Sequence, residues 1–466
     1  MTSVKTRFAP SPTGLMHLGN ARTAVLSALA GERFLLRIED TDLERSRREF
    51  VAALMEDLDW LGLIWDEGPS GPEPEGDYYQ SCRVDLYRQY YGELEQSGRA
   101  YYCFCSPQEL EISRKVQLSS GRPPRYSGKC SHLSTSDVTR RLQEGVQPTL
   151  RFRVPKGEVI EFDDQVRGPQ RFSSDDIGDF IIRRADGTPA FFFCNAVDDA
   201  LMGVNLVLRG EDHLTNTPRQ LMILQALALP RPDYAHISLI VGDDGAPLSK
   251  RNGSRSISQM RQEGYLPVAI LNMLARLGHH YDSEELLALP ALKAGFDVRR
   301  LGKSPARFDP VHLDHWQQLA VRSADDAALW SWLPPDLRVV VPVEHHDEYL
   351  DIVRSNCVFP EQAEQWARVL FADELHREPE VAQLAEQAGE GFFLSALDAA
   401  QTAPRDYKAF LEELKRRSGA KGKQLFMPLR AALTGRTDGP ELARIYELLD
   451  PARARRRLAE FTYVSE

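Results

Sequence analysis

Six cysteines in 466 residues are too few and too unevenly placed for a disulfide framework, and they argue for reduced thiols in a cytoplasmic protein. No apolar run approaches the ~18 residues that a membrane span needs, and MTSVKTRFAP lacks the apolar core of a signal peptide, so neither insertion nor export is expected. A basic excess is missing as well. The formal net charge is -11, whereas nucleic-acid partners usually meet a positive domain. No internal repeat or low-complexity tract is evident. With 42% hydrophobic and 27% charged residues, the chain reads as folded and too long for one core, so two to four domains are expected.

Global charge is a weak test in a chain of this size, because a local basic face can guide a polyanion while acidic surface elsewhere keeps the molecule dispersed. Basic residues do cluster, at 415–417, Lys421, Lys423 and 455–457. From charge alone these read as solvated helix faces.

The first third alternates strand-like and helical stretches: VKTRF, a helix after Gly19, FLLRIED, and an amphipathic run from Ser46 to Leu63. That order predicts a parallel sheet, whose strands need crossover connections. Phe50, Leu54, Leu58 and Leu61 recur at helical spacing and read as core. After a helix around Arg83 to Ser97 comes a loop-rich insertion holding Cys103, Cys105 and Cys130. Strand signals return with TLRFRVP and run from PAFFF through VNLVLRG, followed by a helix in TNTPRQLMILQALAL and a strand in HISLIVG. From about residue 266 the pattern is nearly all helical, with LRVVVPV the one short strand-like run.

Three constellations carry chemistry. In RFAPSPTGLMHLGNART, at 7–23, Pro10, Pro12 and Gly14 punctuate a turn before a good helix former, so His17 falls where a loop becomes a helix. Helix starts carry about half a unit of positive charge and bind anions, and a glycine beside them lets a nucleotide approach the backbone. Thr13 and His17, four residues apart, share a face if the loop tightens into a helical turn. Taken alone, HLGN is no more than a surface histidine in a turn. PLSKRNGS, at 247–254, places Ser249, Lys250 and Arg251 in a loop that Gly253 leaves mobile, and a mobile lysine can follow charge developing on a transferring phosphate. A Lys-Arg loop is commonly just solvated, but ligands of open sheets sit at strand carboxyl ends, where two such loops can converge. Finally, Cys103, Cys105, Cys130 and His132 offer three thiolates and an imidazole, a set suited to tetrahedral zinc. For Cys82, Cys194 and Cys357, packing as small hydrophobes is the simpler reading.

RFAPSPTG followed by HLGN, then RIEDTD at 37–42, DWLGLIWDEGP, YYQS, VDDALMG, LRGEDHLTNTPRQ and LSKRNGS resemble the signatures of bacterial-type glutamyl-tRNA synthetases, which are class I aminoacyl-tRNA ligases. FMPLRAALTG, at 426–435, is similar to their C-terminal region, so the resemblance covers nearly the whole chain. It implies an α/β fold: a class I Rossmann-like parallel-sheet catalytic domain with an inserted zinc-containing acceptor-binding subdomain, followed by an all-helical C-terminal half. The implied bounds are 1–100 and 189–262 for the two catalytic halves, 101–188 for the insertion, 263–315 for a helical stem-contact domain and 316–466 for a helical anticodon-binding domain.

The resemblance also implies a reaction. Glutamate's carboxylate attacks the α-phosphate of ATP, giving glutamyl-adenylate and pyrophosphate, and the terminal adenosine of tRNA(Glu) then takes the glutamyl group. Family members generally need tRNA for the first step, and Mg2+ accompanies ATP. Carried over residue by residue, Thr13, His17 and Lys250 form the catalytic set. ATP falls to His17, Gly19, Asp212, Ser249, Lys250 and Arg251, and glutamate to Arg7, Ala9, Ser11, Glu39, Phe191, Asn195 and Arg209. The two arginines can clamp carboxylates through paired N–H bonds, while Glu39 meets the ammonium group. Some members carry Zn2+ on the pattern formed here by Cys103, Cys105, Cys130 and His132.

The chain departs from the family at Phe191, where a tyrosine is frequent, at Pro247, where lysine is common, and at Asn20, where many class I enzymes have a second histidine. The implied partners are tRNA(Glu), glutamate and ATP for a cytoplasmic monomer without membrane association, with tRNA(Gln) as an alternative second substrate. The rival from another class is a zinc-containing tRNA-binding paralogue without catalysis, against which the intact Arg7, Thr13, His17, Arg209 and Lys250 speak.

Overall fold

The structure is a computed structural model that describes residues 3–42, 44–121, 124–242, 244–246, 248 and 255–462. The chain divides into two compact units, Met1–Arg261 with Ile270–Pro310, and Gln262–Ala269 with Val311–Glu466.

The first unit opens with β1 (Lys5–Phe8), α1 (Leu18–Ala30) and β2 (Arg33–Leu36). The two strands pair in parallel from Lys5↔Arg33 to Phe8↔Leu36, and α1 makes the crossover, burying Ala21, Ala24, Val25 and Leu29. Gly31 ends α1, where a Cβ would run into the Thr6 side chain, so the chain can drop straight into β2. The helices α2 (Arg48–Trp60) and α3 (Val84–Gln96) follow.

The insertion holds β3 (Ala100–Cys103), α4 (Pro107–Ser119), α5 (Thr135–Gln143) and β4 (Thr149–Phe152). It continues with β5 (Val159–Asp164), β6 (Gly168–Ser173), α6 (Ser174–Ile177) and β7 (Phe180–Arg183). An antiparallel sheet has the order β3-β4-β7, while β5 and β6 form a separate hairpin. The next stretch comprises α7 (Phe191–Leu201), β8 (Leu206–Gly210), α8 (Thr217–Ala226) and β9 (Asp233–Ile237). Strands β8 and β9 run parallel from Leu206↔Asp233 to Gly210↔Ile237, and the single pair Asp164↔Tyr234 joins the β5–β6 hairpin to β9. The Lys5 N–H donates to Asn205 Oδ1 (2.8 Å) and the Asn205 N–H donates to Lys5 O (3.1 Å), which brings the start of β8 beside β1.

Two expectations fail. PAFFF does not begin a strand, because Phe191–Leu201 is a helix whose Phe193, Ala196, Val197 and Ala200 are buried at helical spacing. A short apolar run does not distinguish a buried helix from a strand. LRVVVPV is a turn of helix over Leu337–Val340 instead of a strand, and Val339 lies exposed.

The second unit is helical throughout its described residues, from Val311 in the helix Pro310–Ser323 to the helix Pro451–Ala459. Its core includes Trp366, Phe393, Phe410, Leu429, Tyr446 and Leu458, with the Phe410 and Tyr446 rings stacked at 4.3 Å.

Candidate active site

The carboxyl ends of β1, β2, β8 and β9 open onto one cavity of 410 Å³ in the first unit. Open parallel sheets bind ligands at this edge, since the crossovers leave a crevice there. From β1 and its following loop come Arg7, Ala9, Ser11 and Thr13, and Glu39 follows the end of β2. From β8 and the turn after it come Arg209 and Asp212, while Gly19 lies in the first turn of α1. Phe191 and Asn195 reach the same space from α7.

The walls hold a dense set of buried charges. Arg37 is wholly buried, with Nη1 2.7 Å from Asp199, Nη2 donating to Asn195 Oδ1 at 2.9 Å and lying 3.6 Å from Glu39. Arg7 sets Nε 3.3 Å from the same Asp199 and donates from Nη1 to Leu208 O at 3.0 Å. Burial opposes ionisation of Asp199, but Arg7 and Arg37 hold its carboxyl below the usual carboxylate range. Asp198 lies 4.0 Å from Arg37 Nε and is held mainly by Arg83 Nε (2.8 Å), the Tyr87 hydroxyl (2.7 Å) and Gln80 Nε2 (2.9 Å).

Glu39 is pushed up to about 7 by burial, despite the nearby Arg37 and Arg7. Arg209 donates from Nε to His236 Nε2 (3.1 Å) and from Nη2 to Thr217 Oγ1 (2.7 Å). Its buried Nη1 has no hydrogen-bond partner among the described residues. Three guanidiniums thus meet two carboxylates here, and two of them carry an unsatisfied buried donor, Arg37 at Nε and Arg209 at Nη1; of these two, Arg209 lines the cavity. A buried donor without a partner costs roughly 1–3 kcal/mol, which an incoming carboxylate oxygen recovers.

Another wall of the cavity comes from the start of α1. Its N-cap is His17 and no side chain caps its first turn, so its N–H groups are available to an anion. A Cβ on Gly19 would meet nothing within 4 Å, which leaves open space for a ligand close to the backbone. His17 does not line the cavity; it is half-buried beside it, and its backbone bridges to Ser256. The Ile257 N–H donates to Met16 O (2.9 Å) and the Leu248 N–H to Ile240 O (3.0 Å). The residues on either side of the second signature loop are therefore fixed at this edge. Pro247, Ser249, Lys250 and Arg251 lie outside the described residues.

A family model described as the catalytic domain of class I tRNA synthetases (E and Q) matches residues 3–315, and one for an anticodon-binding domain matches 337–462. Glutamate–tRNA ligase 1 of Methylococcus capsulatus is 70% identical over 466 residues, covering both chains completely. The chain belongs to the glutamate–tRNA ligase family of class I synthetases. Glutamate–tRNA ligase 2 of Nitrosococcus oceani is 55% identical, over 98% of each chain. A crystal structure of a glutamate tRNA ligase from Elizabethkingia meningosepticum, in complex with its amino acid, covers 100% of both chains at a TM-score of 0.88 and 26% identity.

The synthetase brings Cys103, Cys105 and Cys130 together in its insertion, their sulfurs lying within 4.8 Å of one another. Cys105 Sγ and Cys130 Sγ are 3.7 Å apart. Tetrahedral zinc with Zn–S bonds of about 2.3 Å needs sulfurs about 3.8 Å apart, so the thiols fit. His132 is not brought to the cluster and lies exposed, which corrects the expected quartet. The Tyr126 hydroxyl sits against the thiols, 3.3 Å from Cys103 Sγ and 3.5 Å from Cys105 Sγ, and it accepts the Cys130 N–H at 2.9 Å. Burial raises the Cys103 thiol, but Tyr126 and Arg151 outweigh it and lower the group to about 7. Neither α4 nor α5 buries a residue, so this part of the insertion has little apolar core of its own.

The C-terminal basic cluster is only partly available. Arg457 is buried and donates to Leu433 O (2.6 Å), and Arg456 meets Asp373 at 3.1 Å, whereas Lys415, Lys421 and Lys423 are exposed. No helix among the described residues is long and apolar enough to cross a membrane. Sequence reasoning missed Arg37, Asp199, Thr217 and His236. The adjacent acids of VDDALMG, set within an apolar helix, were the available signal for Asp199, since buried carboxylates need cationic partners.

Proposed function

We infer that this synthetase uses ATP to attach glutamate to tRNA(Glu), with the cavity at the strand ends as its active site. The unpartnered Nη1 of Arg209, whose side chain lines a cavity that Glu39 also lines, carries this reading. A dianionic amino acid with one ammonium group fits that distribution: its carboxylates go to Arg209 and Arg7, its ammonium to Glu39, and Ala9, Ser11, Phe191 and Asn195 shape the remainder. One carboxylate oxygen of glutamate forms the new bond to the α-phosphorus of ATP, and the bond to the departing pyrophosphate breaks. Negative charge growing on the phosphates meets Thr13 and the start of α1, with His17 beside them and Gly19 leaving room for the adenosine. Lys250, with Ser249 and Arg251, completes the phosphate contacts from the second loop. Asp212 contributes at the nucleotide side, and Mg2+ bound with ATP would neutralise charge on the phosphates.

The tRNA acceptor end belongs to the insertion, and the anticodon arm to the helical second unit through Lys415, Lys421 and Lys423. The domain bounds 1–100, 101–188, 189–262, 263–315 and 316–466 divide the work accordingly. Zinc bound by Cys103, Cys105 and Cys130 would tie the insertion together. The enzyme acts as a cytoplasmic monomer.

The test is charging of purified tRNA(Glu) and tRNA(Gln) side by side with glutamate and ATP. Charging of tRNA(Glu) supports the reading, and charging of both species would extend it to tRNA(Gln). No charging of either, with tRNA-dependent ATP–pyrophosphate exchange also absent, overturns it. Lys250→Ala should abolish most exchange; unchanged exchange would remove Lys250 from the mechanism.

A further inference from the structure

Behind Arg209 runs a buried hydrogen-bond chain that the reaction does not itself use. Asp164, at the end of β5, lies 2.5 Å from His236 Nδ1 through Oδ2 and also accepts the His236 backbone N–H at 3.1 Å. Its Oδ1 accepts the N–H groups of Val166 (3.0 Å) and Arg167 (2.7 Å), so the carboxylate is held by its own turn. The His236 side chain has no solvent exposure. Its other nitrogen, Nε2, receives Arg209 Nε at 3.1 Å, and the Thr217 hydroxyl also lies 3.1 Å away.

Chemistry fixes the proton. A guanidinium only donates, so Nε2 must be an acceptor, and the single ring proton sits on Nδ1, directed at Asp164. The opposite tautomer would set Nε2–H against Nε–H. Burial lowers the imidazole below its ordinary range even with Asp164 beside it, which suits the neutral form. Arg209, whose side chain lines the cavity, is thereby held on one edge by His236 and Thr217, while its buried Nη1 has no partner among the described residues.

We propose that His236, oriented by Asp164, is a positioning residue that aims the Arg209 guanidinium at a carboxylate of the bound amino acid. The proposal rests on the glutamate reading of this cavity. Its origin in the fold is notable, because Asp164 is also the residue whose pairing with Tyr234 joins the inserted hairpin to β9. The orientation of a substrate arginine is thus set by a residue from the insertion.

Two substitutions separate positioning from packing. His236→Asn puts an amide near the Nδ1 position and keeps a donor for Asp164, but leaves nothing at Nε2. His236→Gln can place its carbonyl near the Nε2 position and retain the acceptor for Arg209. In tRNA-dependent exchange with the full-length enzyme, His236→Asn should raise KM for glutamate about tenfold or more, the worth of one hydrogen bond to a charged group, with KM for ATP unchanged. His236→Gln should recover most of that loss. Equal effects of the two variants, or equal changes in both KM values, would overturn the proposal while wild-type charging left the glutamate reading standing. Should neither variant fold, neutron diffraction on the wild-type enzyme decides: a proton on Nδ1 alone supports the chain, and one on Nε2 refutes it. Failure of the wild type to charge tRNA with glutamate would instead remove the reading on which the proposal rests.

Discussion

With glutamate's ammonium group on Glu39, as proposed, the burial of Glu39 should make glutamate affinity depend on pH. The carboxyl rises from an ordinary 4.5 to about 7, and that difference corresponds to about 3 kcal/mol against the ionised form. Between those values the folded chain binds a proton that the unfolded chain has lost, so this group's contribution to stability falls as pH rises from 4.5 to 7. Binding responds in the other direction. The substrate's ammonium group needs the carboxylate, so at low pH it must first displace the proton, and KM for glutamate should climb as pH drops below 7. Each unit below the titration point leaves about tenfold less carboxylate, so KM at pH 6 should stand about tenfold above its plateau beyond pH 8. The assay is tRNA-dependent pyrophosphate exchange, with KM for glutamate and for ATP measured from pH 6 to 8. Glu39→Gln should give a high glutamate KM with no slope, which separates Glu39 from His213, another titratable wall of the cavity whose imidazole is lowered by burial. A flat wild-type profile, or a slope that survives in Glu39→Gln, would refute the reasoning.

Further outcomes follow from particular contacts. Phe191 stacks on His213 at 5.3 Å in the cavity wall, so Phe191→Tyr keeps the ring and restores a hydroxyl; KM for glutamate should fall a few-fold without change in that for ATP. Chelation, or Cys130→Ser, should expose the region 104–148 to limited proteolysis while the thermal unfolding of the helical unit stays unchanged, and metal analysis of the reduced protein should find one zinc per chain. Gly439 has φ +118 and a Cβ there would enter the Trp366 ring, so Gly439→Ala should destabilise the second unit by roughly 2–4 kcal/mol in denaturant unfolding.

Much of this site was legible because its residues come in short, locally ordered motifs. The turn of RFAPSPTG and the helix start at HLGN could be read from proline, glycine and helix-forming composition alone, and the cavity wall follows them. What resisted reading is what depends on long-range burial. Arg37 is indistinguishable from a surface charge in RIED until Asp199, 162 positions later, is brought to 2.7 Å. His132 looked like a ligand because C-x-H is a good chelate on paper, yet the turn that buries Cys130 leaves the next-but-one side chain in solvent and turns Tyr126 inward. Arg457 belonged to a basic run by composition but spends its donors on helix-end carbonyls of Leu433 and Ala372.

The buried charges also explain why the cavity is not simply an apolar pocket with one arginine. Taking Arg37 and Asp199 out of water costs several kcal/mol per ion, and well-packed apolar residues in their place would often be no less stable. The pair therefore makes most sense by what it does for its neighbours. Asp199 serves two guanidiniums at once, 2.7 Å from Arg37 and 3.3 Å from Arg7, so Arg7 is held at the strand end while Arg37 fixes Asn195 and stands 3.6 Å from Glu39. Arg209 is oriented without any carboxylate, through the neutral His236 and Thr217. Had it been paired with an acid like its neighbours, an incoming carboxylate would have had to break that bond first. Orienting one arginine with uncharged acceptors and the other with a shared acid leaves a surplus positive charge in the cavity wall, as the proposed binding of a dianion requires, and it does so without leaving either side chain loose.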